Sequence, residues 1–289
     1  MARKHKDTLG RAGGLLVLSL LLAVSPAPGQ DKAPEAAPAP ATSAAMSAAP
    51  MPAPFSQDCR LGGGAIVEES PLPNVAAALQ GRKQVKILAI GASALVGRWS
   101  RRGGHAEQIE QILEHAIKGL DVVTINRGVS GELAAQAAAR IKNLVALDEP
   151  DLVLWQVGTN DALAFVPLAE LEATIVDTIE WLKAHKVDVV LAGLQYVDRM
   201  AQDEHYRAVR ELLRRVAAKE NVMIVRRYEA QRLIAQAEGS GGLVPDEFQR
   251  NEAGYACLSQ YMARAITLGI FGKRLRMRPL SSPPNRPPN

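Results

Sequence analysis

The sequence predicts an α/β protein, a three-layer α/β/α sandwich built on a five-stranded parallel sheet. Three observations carry this. Short apolar runs recur at Val85 to Ile90, Val122 to Ile125, Leu152 to Val157, Val187 to Leu191 and Val222 to Val225. Each is continuous rather than alternating, as strands covered on both faces require. Stretches of helical periodicity separate them, and strands alternating with helices demand parallel pairing through crossovers.

The helices can be placed in chain order. After the first strand, Ile109, Ile112, Leu113, Ala116 and Ile117 share one helical face. After the second, Leu133, Ala137, Ile141, Leu144 and Val145 share another. Leu171, Ile175, Ile179 and Leu182 come after the third strand, and Val209, Leu212, Leu213 and Val216 after the fourth. Residues 252–266 form a final helix. In such a sheet, chemistry lies beyond the carboxyl ends of the strands.

The folded part is expected over residues 59–270. Residues 1–29 read as a secretory signal peptide: Arg3, Lys4, Lys6 and Arg11 are basic, Leu15 to Val24 is apolar, and Ala27-Pro28-Gly29 offers small residues at cleavage spacing. The apolar run is short for a membrane span, so no stable span is expected after cleavage; the rival reading is an uncleaved anchor. Residues 30–58 are an Ala/Pro-rich linker, too poor in core-forming residues to order themselves. Residues 271–289 are a basic, Pro-rich tail.

The 289-residue chain has a formal charge of +4, of which residues 1–29 supply +3 and residues 271–289 supply +5, leaving the body at about −4. The basic residues sit at the ends, so nucleic acid is not an expected partner despite the high pI. The tail reads as solvated, with electrostatic contact to an anionic envelope polymer as the alternative. Cys59 and Cys257 are the two cysteines. In an exported protein they can form a disulfide tying the domain's first residues to its last helix; two separate buried thiols are the alternative. Their spacing does not suit a metal site.

Four segments sit at strand ends. Gly91-Ala92-Ser93-Ala94-Leu95-Val96-Gly97 lacks the glycine a dinucleotide loop needs at Ser93 and the lysine a P-loop needs; a serine nucleophile on a tight turn remains. Asn126-Arg127-Gly128-Val129-Ser130-Gly131 can bring the Gly128 N–H to a reacting oxygen, with Ser130 as a helix cap. In Gly158-Thr159-Asn160-Asp161, the Asn160 amide can face a developing oxyanion, and Asp161 caps the next segment. Pro245-Asp246-Glu247-Phe248-Gln249 leads into the last helix.

In this order, the segments resemble the SGNH (GDSL-type) serine hydrolase family, which matches Gly-Asp-Ser, a lone Gly, Gly-x-Asn-Asp and Asp-x-x-His. The stretches Trp155 to Asn160 and Leu194 to Tyr196 are similar to exported proteobacterial members. The resemblance implies a flavodoxin-like sheet and an ester hydrolase with no cofactor or metal. By position, Ser93 is the nucleophile. The Ser93 N–H, Gly128 N–H and Asn160 amide form the oxyanion hole, and Asp246 orients the base.

Two positions depart from the family. Ala92 replaces an Asp that is not the base. Gln249 replaces the catalytic His, and an amide has no nitrogen that titrates near neutral pH. His105 and His205 are within reach of the strand ends; both read as surface residues, as do His115 and His185, and the alternative is that one of the first two substitutes as the base. Two functions are open: an exported (periplasmic or secreted) hydrolase of O-acyl groups, glycan-linked, weakened by Gln249; or a non-catalytic relative that binds an acylated glycan or a protein partner in the same cleft. A binder of nucleic acid or membrane surface through the basic tail is the least favoured.

Overall fold

The computed structural model describes residues 67–91, 104–237 and 252–276. The strands are β1 (Val67–Glu68), β2 (Gln84–Gly91), β3 (Asp121–Gly128), β4 (Leu152–Gln156), β5 (Asp188–Ala192) and β6 (Met223–Val225). The helices are α1 (Pro73–Gly81), α2 (His105–Ala116), α3 (Ala134–Asp148), α4 (Thr159–Leu163), α5 (Leu168–Ala184), α6 (Glu204–Lys219), α7 (Arg227–Ala237) and α8 (Glu252–Arg276).

The sheet order is β1-β6-β5-β4-β2-β3. Strands β2 to β6 are mutually parallel in the flavodoxin-like order expected. The sheet has six strands rather than five, because Val67 and Glu68 pair antiparallel with Val225 and Ile224 at one edge. Two residues are too few for a periodic signal.

The continuous apolar runs have a direct cause. Ile87, Leu152 and Leu154 enter a core with α1, α2 and α8. Their alternating neighbours Leu88, Ile90, Val153 and Trp155 enter a second core with α3, α5 and α6. Both faces of the sheet are therefore apolar. Strand β3 departs from this, since as the other edge strand it buries Val122 but leaves Val123 36% exposed.

Other expectations shift locally. Ala116 is exposed, and the buried face of α2 starts instead at His105 and Gln108. Helix α8 runs past Ile266 to Arg276, so the expected tail begins inside a helix. Ser130 does not cap α3; that helix starts at Ala134, whose N–H donates to Asp161 Oδ1 at 2.8 Å. Helix α1 was not anticipated because its cap comes from a distant strand. The N–H groups of Asn74 and Val75 both donate to Asp188 Oδ2 at 2.9 Å. Such carboxylate caps satisfy amides that the helix itself leaves unpaired. Among the described residues, no helix is long and apolar enough to cross a membrane.

Candidate active site

The strand order reverses direction on either side of β2, and the candidate site sits there. Gly91, the last residue of β2, is in register with Gly128 of β3 and Gln156 of β4. Three strand ends thus converge on one point. Gly91 has φ +129°, and a Cβ there would lie 2.2 Å from the Gln156 carbonyl oxygen. Only glycine fits a left-handed backbone pressed against another backbone. The turn after β3 is anchored on the same residue, with the Val129 N–H donating to the Gly91 carbonyl at 2.7 Å.

Beyond β4, Gly158 (φ +100°) turns the chain into α4, and a Cβ there would meet Leu194 and Leu213 at 2.8 and 2.9 Å. The Gly158 N–H donates to Asp161 Oδ2 at 3.2 Å. Asp161 also receives the Ala134 N–H, so one buried carboxylate joins the β4 turn to the start of α3. This exceeds the local cap expected of it. Burial pushes the Asp161 carboxyl above its usual range, while the N–H donors from Ala134 and Gly158 oppose the rise.

Asn160 is half-buried at this junction. Its Nδ2 donates to the Glu132 carbonyl at 2.8 Å. One amide proton thereby fixes the side chain, and the other donates to no described group. Thr159 is held equally firmly. Its Oγ1 accepts from the Gln195 N–H at 3.0 Å and from Arg227 Nη2 at 3.1 Å. The Tyr206 hydroxyl donates to the Gln195 carbonyl at 2.7 Å.

The two glycines after β3 differ in their partners. The Gly128 N–H donates to Asn126 Oδ1 at 3.1 Å. Gly131, with φ +78° and open space at its Cβ position, directly precedes Glu132, which holds Asn160. Its N–H donates to no described group. Gly131 is thus a second candidate beside the expected Gly128, because it adjoins the residue that holds Asn160.

The histidines also differ from expectation. His105 is not a surface residue but 2% exposed. It stacks on Tyr255 with ring centroids 4.0 Å apart and rings 8° from parallel. Ser259 Oγ donates to the Tyr255 carbonyl, so His105 Nδ1, 2.9 Å from Ser259 Oγ, is the donor to that hydroxyl. Burial, reinforced by the positive charge of Arg227, lowers the imidazole to about 3. A base so weak is poorly matched to neutral-pH proton transfer. His205 is half-buried against Phe165 at 5.3 Å, and its Nε2 is buried with no partner among the described residues. His115 and His185 are exposed, as expected.

Ser93, Asp246, Gln249 and Cys59 lie outside the described residues. Cys257 is buried in α8. Among the described residues, no group of three His, Cys, Asp or Glu side chains is placed to hold a metal ion.

Comparison with known proteins agrees with the fold. The Non-GDSL lipase-like family model matches residues 58–271. The chain is 31% identical over 80 residues to the esterase TesA of Pseudomonas aeruginosa, covering 28% of this chain and 40% of that one. It is 31% identical over 86 residues to an arylesterase of Vibrio mimicus, covering 30% and 42% respectively. These matches thus span less than half of either relative. Among solved structures, TesA superposes with TM-score 0.50 at 22% identity, covering 63% of this chain and 97% of that one. Axe2, an acetylxylan esterase from Geobacillus stearothermophilus, superposes with TM-score 0.51 at 21% identity, covering 63% and 94%. The chain belongs to the Non-GDSL lipase-like family and has the fold of the SGNH hydrolases.

Proposed function

We propose that this is an exported serine ester hydrolase of the SGNH type, acting on glycan-linked O-acyl groups, whose turnover is impaired by Gln249. The observation that carries the reading is the Asn160 amide. It stands at the carboxyl end of β4, with one N–H fixed on Glu132 and the other free of described partners. A preorganised donor of this kind stabilises a developing oxyanion by about 3–4 kcal/mol.

In this reading, Ser93 Oγ attacks the ester carbonyl carbon. The carbonyl oxygen becomes an oxyanion held by Asn160, the Ser93 N–H and the Gly131 N–H, which replaces Gly128 in that role. Collapse breaks the bond to the alkoxide and leaves an acyl-serine that water then hydrolyses. The serine proton must leave and the alkoxide must gain one, and Gln249 can do neither. In another serine hydrolase, losing the His costs about 10⁶ in rate, while the oxyanion hole and binding retain roughly 10³–10⁴ over water. The names of the esterase relatives and of acetylxylan esterase support an acyl substrate. The signal-like N-terminus supports a periplasmic or secreted location, where a Cys59–Cys257 disulfide would form.

Gln249 favours a second reading, in which the cleft only binds the acylated glycan or a protein partner. Hydrolysis of p-nitrophenyl acetate by the purified protein and by Ser93→Ala separates the two. Slow turnover that vanishes in Ser93→Ala supports an impaired hydrolase; no difference between them supports a binder. Mass analysis after thiol blocking without reductant tests the disulfide: two blocked thiols would overturn it.

A further inference from the structure

Two buried polar atoms beside the candidate site lack a partner among the described residues: Trp155 Nε1 and Glu132 Oε2. Trp155, near the end of β4, is fully buried. The Glu132 side chain is only 3% exposed, and its other oxygen, Oε1, accepts from Arg140 Nη1. A buried indole N–H usually finds an acceptor, and a buried carboxylate oxygen left bare is costly.

Both residues line one cavity of about 10 Å³ between the β4 turn and the start of α3. That is about the room one water needs, and it admits no larger ligand. Asp161 lines the same cavity. Its two oxygens each take one backbone N–H, from Ala134 and Gly158, and each keeps a lone pair for a further donor. A donor, acceptors and the room for one small molecule thus meet in one place.

We propose that this cavity is the site of one buried water, which accepts from Trp155 Nε1–H and donates to Glu132 Oε2 and Asp161. Three partners are the usual complement of a buried water. A metal cation would suit the carboxylates but not the indole N–H, which requires an acceptor, and Arg140 already neutralises Glu132. The water makes Trp155 and Glu132 positioning residues for Asn160. Glu132 is the residue whose carbonyl holds the Asn160 amide. Arg140, which also donates to the Arg127 carbonyl at 2.9 Å, fixes one end of the Glu132 carboxylate. The water ties the other end to β4. The water site stands on these atoms alone; its bearing on catalysis rests on Asn160 being an oxyanion donor.

A crystal structure of the purified protein tests the site. The expected result is an ordered water within hydrogen-bond distance of both Trp155 Nε1 and Glu132 Oε2. A dry cavity, a cation, or a protein group bonded to either atom in the water's place overturns the proposal. Trp155→Phe keeps an aromatic ring and removes the donor. Hydrogen exchange of the Asn160 side-chain amide, followed by NMR, should then quicken by about tenfold relative to the backbone amides of Val153 and Leu154, as for one hydrogen bond lost. A tryptophan that only fills the core would speed all of these alike, so an unchanged ratio overturns the positioning role. Glu132→Ala keeps the carbonyl and loses the carboxylate; it should give the same change, and it decides if Trp155→Phe does not fold. Ester turnover in Gln249→His is scored separately. Water at this place without turnover sinks the hydrolase reading and leaves the water site standing, and turnover without the water does the reverse.

Discussion

Asn160 Nδ2 donates to the carbonyl of Glu132 at 2.8 Å. That bond joins the turn after β4 to the turn after β3, which carry two of the three proposed oxyanion donors. Loss of the side chain removes both a donor and a cross-brace. Asn160→Ala, made in a Gln249→His background where turnover is measurable, is expected to lower kcat by about 10²–10³ with a smaller change in KM. A change confined to KM would assign Asn160 to substrate binding alone.

Gly91 meets the Gln156 carbonyl in a conformation closed to other residues. In Gly91→Ala the added carbon sits 2.2 Å from a backbone oxygen that cannot rotate away. Its φ of +129° is strained for any L side chain. Unfolding in urea should show a loss of more than about 3 kcal/mol, or no folded protein. A loss below about 1 kcal/mol would mean that the three strand ends do not converge as described.

His105 links stability to pH. Its folded pKa of about 3 lies below the unfolded value of 6.5, so the unfolded chain binds the extra proton between these limits. Its contribution is therefore intact above pH 6.5 and is lost on acidification toward pH 3, at up to about 1.4 kcal/mol per unit. Asp161 and Asp188, raised by burial, act in the opposite sense at acidic pH. Comparison with His105→Phe, which keeps the stack on Tyr255, isolates the histidine. The variant should show a flatter fall between pH 6.5 and 4, and an unchanged slope would contradict a buried neutral imidazole.

Much of the fold is legible because its signals are local. Val153 and Trp155 face one core while Leu152 and Leu154 face the other, and this makes β4 a continuous apolar run. Helix α1 was not legible because its cap, Asp188, lies more than a hundred residues away. His105 lies on the Ile109–Ile112 face at helical spacing, but its polar identity suggested solvent. Arg227 looks like any surface arginine in Val-Arg-Arg-Tyr, and only three-dimensional packing buries it against Thr159. The sequence points to Gly128, and Gly131 becomes a candidate only once Asn126 and Glu132 are placed.

Gln249→His tests whether a missing base holds back turnover in this cleft. With the nucleophile, the oxyanion donors and Asp246 in their proposed roles, restoring the imidazole should raise kcat/KM on p-nitrophenyl acetate by at least about a hundredfold, out of a possible ~10⁶. The gain should vanish in the Ser93→Ala, Gln249→His double variant. A folded Gln249→His protein no faster than the parent would contradict the account.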